Sequence, residues 1–204
     1  MDNVDKQLIS MLHDNGRASL SEIGKKLRMS HVAVSKRLDK LIQQGLAKVT
    51  VGVNAEALDM KLLFMAIETD NLDIAEHIIN KYQNCPRVLM IAPVTGRYNL
   101  FAVMVAEDSW TLESIIGTCS LRTEKGVRRS ETWFGNAPKV PEYVMVDLAP
   151  LDDGKVKAPC GITCESCKRY GVDKCVGCPA TSSYRGLLWS SELTERKRGR
   201  KSKS

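Results

Sequence analysis

The sequence has few of the features that mark membrane proteins or common enzymes. Its longest apolar runs, 62–67 and 100–106, are far shorter than the ~20 residues that span a bilayer, and its acidic start does not resemble a secretory signal. The three histidines, His13, His31 and His77, are scattered, and there is no glycine-rich nucleotide loop of the Rossmann or P-loop type. These absences predict a cytoplasmic protein with no membrane partner and weigh against an enzyme.

The charge is present but unevenly distributed. The chain has a formal net charge of +6, yet residues 1–50 carry +4, residues 51–150 carry −4 and residues 194–204 carry +5. Basic ends around an acidic middle suit a protein that places its ends on a polyphosphate such as DNA. A merely solvated basic tail is the alternative interpretation of the same charges.

The first 45 residues follow the pattern of three short amphipathic helices. Apolar residues recur at helical spacing over 3–13, Ser19 and Glu22 form a capping box that opens a second helix, and Ser30 opens a third that runs to about Gln44. A short link before the third helix is the helix-turn-helix pattern, in which that helix enters the major groove. The residues predicted to contact double-stranded DNA are Ser30, His31, Ser35, Lys36, Arg37 and Lys40. A solvated basic face, or a motif kept only for packing, is the alternative.

The stretch that follows predicts a wing and then a second domain. The third helix is expected to bury Val34, Leu38, Leu41 and Ile42, and residues 46–53 are predicted to form a wing or linker strand. Strands are predicted at 62–69, 88–93, 98–106 and 127–134, helices at 72–83 and 109–119, and an extra edge strand at 143–148. The order βαββαβ predicts a ferredoxin-like sheet with two helices on one face.

Five of the seven cysteines lie within nineteen residues: Cys160, Cys164, Cys167, Cys175 and Cys178. Two C-x2-C pairs allow four thiolates to converge on one ion, so metal binding is favoured over disulfides. A structural zinc bound by Cys164, Cys167, Cys175 and Cys178 is preferred, because zinc folds segments that have few apolar residues. An iron–sulfur cluster and a free-thiol redox sensor are the alternatives. Cys85 and Cys119 are interpreted as plain buried thiols.

Over about residues 1–150 the sequence resembles the Lrp/AsnC (leucine-responsive) family of bacterial and archaeal regulators. The likeness is carried by VDKQLI at 4–9, NGRA at 15–18, EIGKKL at 22–27 and the positions Ser30, Val34 and Arg37, together with 41–46. The resemblance implies a homodimer or higher homo-oligomer paired through the second domain. It also implies an amino acid or a similar small effector bound between those domains.

The effector residues come from the same resemblance. VTGRYN at 94–99 looks like the family's V-T-G-x-Y-D loop, which makes Gly96, Tyr98 and Asn99 the candidate effector-binding residues. Asn99 stands where the family usually has Asp, which removes a charge. The alternative is that Gly96 only serves a turn and Tyr98 only the core.

Together these features predict an α+β protein in four parts: a winged helix-turn-helix at 1–53, a ferredoxin-like domain at 54–149, a linker and Cys-rich metal-binding module at 150–193, and a disordered basic tail at 194–204. The predicted function is sequence-specific transcriptional regulation that responds to a small effector, or to metal or redox state through the C-terminal cysteines. The alternatives are an architectural DNA-binding protein of low specificity and a cysteine-metal redox enzyme.

Overall fold

The computed structural model describes residues 1–118, 121–149 and 155–190. The chain divides into two compact units, Met1–Val51 and Gly52–Ser204. The end of the helix predicted at 109–119, part of the predicted linker and the predicted basic tail lie outside the described residues. Among the described helices, none has both the length and the apolar character needed to cross a membrane.

The first unit consists of three helices whose starts are set by short polar side chains. The helices are α1 (Asn3–Asp14), α2 (Leu20–Leu27) and α3 (His31–Gln43). Asp2, Ser19 and Ser30 precede them, and each side chain accepts a hydrogen bond from a backbone N–H of the first helical turn. Asp5 and Glu22 complete capping boxes on α1 and α2. These caps satisfy N–H groups that have no partner inside the helix, so each helix begins where its cap stands.

One residue from each of α1 and α2 and two from α3 form the buried centre of this unit: Leu8, Ile23, Val34 and Leu41. Leu38 is half-buried against them, as predicted for the inner face. The prediction that Ile42 faces inward is wrong, since its side chain is 42% exposed. Successive helical residues are turned by about 100°, so a helix that buries Leu41 turns Ile42 away from the centre.

The predicted wing strand is not formed. Residues 46–52, all of them described, adopt no strand, and the first strand is β1 at Val53–Asn54. The apolar residues that suggested a strand remain in water: Leu46 is 53% exposed, Val49 57% and Val51 78%. A β-rich composition needs a partner strand and a surface to cover before it becomes a strand.

The second unit contains the predicted βαββαβ order. Its strands and α-helices up to residue 144 are β1, β2 (Lys61–Thr69), α4 (Leu72–Tyr82), β3 (Val88–Pro93), β4 (Leu100–Ala106), α5 (Ser109–Gly117), β5 (Val127–Gly135) and β6 (Tyr143–Val144). Four of the strands form an antiparallel sheet in the order β3-β4-β2-β5. This arrangement confirms the predicted ferredoxin-like α+β domain.

Both faces of the central strand β2 are buried. Leu63, Met65 and Ile67 alternate with Leu62 and Phe64, as the two-residue period of a strand requires. The first three belong to the cluster that α4 and α5 cover, whereas Leu62 and Phe64 belong to a second cluster on the outer face. The chain from residue 137 onward supplies much of that outer cover.

The strand predicted at 143–148 is shorter than expected and does not extend the main sheet. β6 ends at Val144 and pairs with β1 in a separate two-stranded sheet. Val146 and Leu148 instead pack half-buried on the outer face of the main sheet. The apolar alternation that predicted an edge strand therefore serves side-chain packing more than strand pairing.

The described cysteine-rich segment, 155–190, has little regular structure. It contains a 3-10 turn at Cys164–Ser166 and a single helical turn, α6, at Lys168–Gly171. Near its end Trp189 is 2% exposed, and its indole N–H donates a 2.7 Å hydrogen bond to the Asp147 carbonyl. The segment thus belongs to the same compact unit as the ferredoxin-like domain.

Candidate functional site

The predicted DNA-contacting residues occupy one helix and its cap, but they differ in exposure. Ser30, His31, Lys36 and Lys40 are exposed, whereas Ser35 and Arg37 are half-buried. Lys36 and Lys40 are four residues apart on α3, so they project from the same side of the helix. This side borders a surface depression that Arg37 and the start of α1 also line.

Three of these six side chains already make hydrogen bonds within the unit. The Ser35 hydroxyl donates to an Asp39 carboxylate oxygen at 3.3 Å. The Ser30 hydroxyl accepts a 3.2 Å hydrogen bond from the Ala33 N–H. Arg37 Nη1 donates 2.7 Å hydrogen bonds to carboxylate oxygens of both Asp2 and Asp5. Any contact of Arg37 with a phosphate therefore competes with two carboxylates, whereas Lys36 and Lys40 extend into solvent.

The same ion pairs alter the acidity of the groups that form them. The pKa of Asp2 and of Asp5 lies below its usual value, because each carboxylate accepts a backbone N–H of the capping box and then a hydrogen bond from Arg37. The pKa of Arg37 is raised by its hydrogen bonds to Asp2 and Asp5. Arg37 thereby fastens the middle of α3 to the start of α1.

Sequence reasoning gave Gly24 no role beyond its place in the family pattern. In the structure it is buried in α2, where the turn before α3 passes closely. A Cβ at this position would lie 2.6 Å from the Met29 carbonyl oxygen, so the turn approaches more closely than a side chain allows. A glycine three residues before the end of the second predicted helix was the available signal.

The three predicted effector residues lie in the loop between β3 and β4, but two of them also hold the fold together. The Asn99 amide accepts a 2.9 Å hydrogen bond from the Thr69 N–H and donates one of 2.9 Å to the Thr69 hydroxyl. The Tyr98 hydroxyl donates to Glu131, which raises the pKa of Tyr98. Gly96 is exposed with φ of +146°. An ionised aspartate could not make the donated bond to Thr69, which accounts for an amide at position 99.

All five clustered cysteines border a single cavity of about 50 Å³ inside the second unit. A sixth cysteine, Cys85, borders it as well. Cys85 follows α4 in the ferredoxin-like domain, so its interpretation as a plain buried thiol misses its neighbours. One signal was available, a cysteine beside a proline in a loop, but the local pattern does not show that this loop faces the distant cysteines.

The cysteines surround the cavity without forming a finished metal site. Among the described residues, no three His, Cys, Asp or Glu side chains are grouped so that they could hold a metal ion. Burial raises the pKa of Cys85 and of Cys175, and raises that of Cys178 to about 12. Thiols are thus favoured over thiolates here, and the predicted zinc ligand set stays a prediction.

A buried arginine fastens the cysteine-rich segment to the sheet domain. Arg87 is 4% exposed; its guanidinium donates to Glu107 at 2.7 Å and to the Gly177 carbonyl at 2.9 Å. It also lies over the Trp189 ring at 5.2 Å. Burial acts to lower the pKa of Arg87, but the Glu107 carboxylate outweighs it, and the pKa is raised. Gly177 lies between Cys175 and Cys178, so this contact holds the last C-x2-C pair against the domain.

The fold and the exposed basic α3 define a class: DNA-binding proteins with a helix-turn-helix followed by a ferredoxin-like domain. The AsnC-type helix-turn-helix domain model matches residues 1–42. The transcriptional regulator Rv2324 of Mycobacterium tuberculosis is 30% identical over 140 residues, which cover 65% of this chain and 89% of that protein. The chain therefore belongs to the Lrp/AsnC family of DNA-binding transcriptional regulators.

Solved structures share the fold. The crystal structure of PH0061 aligns with a TM-score of 0.61 at 22% identity, covering 66% of this chain and 92% of that one. The L-Met complex of the transcriptional regulator NMB0573 from Neisseria meningitidis aligns with a TM-score of 0.57 at 19% identity, covering 66% of this chain and 89% of that one. Rv2324 and NMB0573 are transcriptional regulators, and the alignments leave about a third of this chain unmatched.

Proposed function

We propose that this chain is a sequence-specific transcriptional regulator whose α3 lies in the major groove. Its DNA binding depends on the metal or redox state of the cysteines that line the cavity. The observation that carries the DNA part is the exposed pair Lys36 and Lys40, on a helix that the family's domain model covers in large part. Lysines on such a helix bind phosphates, and His31 and Ser35 are placed to reach base edges. The protein acts as a homodimer or larger homo-oligomer on a palindromic site.

The proposal that α3 contacts DNA is tested by replacing each of the two lysines with alanine. Lys36→Ala and Lys40→Ala each remove a phosphate contact, so each lowers the slope of log affinity against log salt by about 1. Binding is measured on a duplex that the wild-type chain selects from a random pool. Lys125→Ala, which removes the same charge from an exposed site of the second unit, is the control and leaves the slope unchanged. Wild-type slopes in both α3 variants would remove α3 from the interface.

A competition experiment separates a regulator from an architectural protein. A regulator prefers its selected duplex over random duplex by about 10³-fold or more. A ratio near one would favour low-specificity coating of DNA, because phosphate contacts alone do not distinguish sequences.

The cysteine cavity is proposed to bind a metal centre, with zinc as the first candidate and an iron–sulfur cluster as the second. Support comes from the donor set: Cys160, Cys164, Cys167, Cys175 and Cys178 all border one cavity, and thiolates suit both centres. Elemental analysis and a visible absorption spectrum of protein purified without oxygen distinguish the two, because only the cluster is coloured. Cys164→Ser combined with Cys178→Ser is expected to release the metal, and full retention would refute this ligand choice.

The small effector is proposed to be an amino acid that binds at the 94–99 loop. The support is a structural neighbour that was solved as an L-Met complex, together with the family resemblance of this loop. Isothermal titration of the full chain with L-Met and with the other common amino acids tests the proposal. Tyr98→Phe removes the hydroxyl that is bonded to Glu131, and it is expected to weaken the binding of whichever amino acid binds. Absence of binding by all of them would refute an amino-acid effector.

A further inference from the structure

Cys85 lies at the junction between the sheet domain and the cysteine-rich segment. It stands in the loop between α4 and β3, where its N–H donates to the Tyr82 carbonyl at 2.9 Å and its own carbonyl accepts from the Val88 N–H at 3.0 Å. These two bonds fix the loop backbone close to the ends of both elements. The Cys85 side chain borders the cavity that the C-terminal cysteines line.

Cys85 shares its surroundings with cysteines from both ends of the C-terminal cluster. Cys85 and Cys160 pack against the same apolar cluster under the sheet. Cys178, from the other end of the C-terminal cluster, borders the same cavity. Cys85, Cys160 and Cys178 therefore reach one cavity from three separate stretches of the chain.

The backbone around this group is held firmly enough to keep the cysteines together. Arg87, two residues after Cys85, donates to the carbonyl of Gly177, the residue before Cys178. Cys85 and Cys178 carry free thiols, so neither is committed to a disulfide. A cysteine redirects its sulfur by one χ1 rotation, so fixed backbones with mobile sulfurs allow the thiols to turn toward a common ion. The cavity of about 50 Å³ exceeds the space that one water molecule needs.

We infer that Cys85 is a ligand of the metal centre, together with Cys160 and Cys178, and that the centre joins the ferredoxin-like domain to the cysteine-rich segment. This inference rests on the proposed metal centre and changes its ligand set, because the symmetric choice from the two C-x2-C pairs includes neither Cys85 nor Cys160. Metal binding thus links the ferredoxin-like domain to the cysteine-rich segment. A site made only from residues 160–178 would leave their docking unaffected.

The test compares Cys85→Ala with Val88→Ala in the full-length chain. Cys85→Ala keeps the position apolar but removes the thiol, whereas Val88→Ala removes apolar volume from the same connection without changing a cysteine. Zinc affinity is measured by competition with a chelator, and the number of bound sulfurs by X-ray absorption on zinc- and cobalt-loaded protein. Cys85→Ala is expected to lose one sulfur and at least about tenfold in affinity, since even outer-shell changes cost that much. Val88→Ala is expected to lower the melting temperature and keep wild-type zinc affinity.

Each other outcome has a distinct meaning. Wild-type sulfur number and affinity in Cys85→Ala, with metal loss in Cys164→Ser combined with Cys178→Ser, would overturn the role of Cys85 and leave the proposed metal centre standing. A wild-type chain that binds neither zinc nor cobalt and has no coloured cluster would overturn both. Equal loss of affinity in Cys85→Ala and Val88→Ala, with the sulfur number unchanged, would assign Cys85 to packing alone.

Discussion

The helix-turn-helix unit and the cysteine-rich segment are both small, yet they are held together over very different distances along the chain. In the first, Ser19 and Glu22 bond each other's backbone three residues apart and so define where α2 begins. In the second, Arg87 reaches Gly177 across 90 residues, and Trp189 reaches Asp147 across 42. Residues close in sequence set the helix starts of the first region. The second region instead takes its shape from contacts with a domain that lies earlier in the chain.

The largest expected effect comes from cutting the longest of these connections. Arg87→Ala removes the charged partner of Glu107, whose side chain is only 13% exposed and keeps a hydrogen bond from the Tyr184 hydroxyl. Loss of one partner of a buried ion pair costs about 3–5 kcal/mol. Trp110, Trp133 and Trp189 are the chain's three tryptophans, and all belong to the second unit, so fluorescence during urea unfolding reports on that unit alone.

A double variant shows whether the loss of stability in Arg87→Ala comes from the charge left on Glu107. Arg87→Met combined with Glu107→Gln removes both charges and is expected to recover part of the lost stability, because no unpaired carboxylate remains. A loss below about 1 kcal/mol in Arg87→Ala would mean that other contacts hold the segment, and the contrast with the first unit would weaken.

The same contrast explains which features the sequence could predict. Caps, turn residues and apolar spacing lie within a few positions of the helices they define, so α1 to α3 and β3 could be predicted nearly to the residue. The predictions that Ile42 is buried and that 46–53 forms a strand were wrong, because local periodicity does not say whether a neighbouring surface is present. β6 was misplaced for the same reason, since its partner β1 is about 90 residues earlier.

The candidate sites divide in the same way. The exposed position of Lys36 and Lys40 follows from helix geometry and could be predicted. The ion pairs of Arg37 with Asp2 and Asp5, and the place of Cys85 beside the cavity, depend on contacts across 32 residues or more of the chain. No spacing rule in a single sequence encodes such contacts, so the position of Cys85 beside the cavity emerges only from the fold.

A smaller effect on stability is expected from removing a helix cap. Ser19→Ala deletes the cap of α2 and costs about 1 kcal/mol, which increases local opening about fivefold. Hydrogen exchange of amides in 20–27, measured in the full chain, reports that opening. Ser21→Ala, an exposed substitution at the second residue of the same helix, is the control and is expected to be neutral or slightly stabilising. Unchanged exchange in Ser19→Ala would show that packing rather than the cap sets the start of α2.

The smallest effect concerns the ion pairs of Arg37 with Asp2 and Asp5 in the first unit. The pKa values of Asp2 and Asp5 are lowered in the folded chain, so their contribution is complete above the unfolded value of about 3.9 and is lost as pH falls through the lower folded values. Hydrogen exchange of α1 and α3, corrected for intrinsic rates, is expected to accelerate below about pH 4 in the wild type. Arg37→Gln is expected to weaken this pH dependence, because the carboxylates lose the side-chain hydrogen bonds that lower their pKa. The capping box still lowers the pKa of both groups, so part of the pH dependence remains. Arg17→Gln removes the same charge from an exposed position and preserves the wild-type profile. If both variants changed the profile equally, general charge rather than the Arg37 contact would link the two helices.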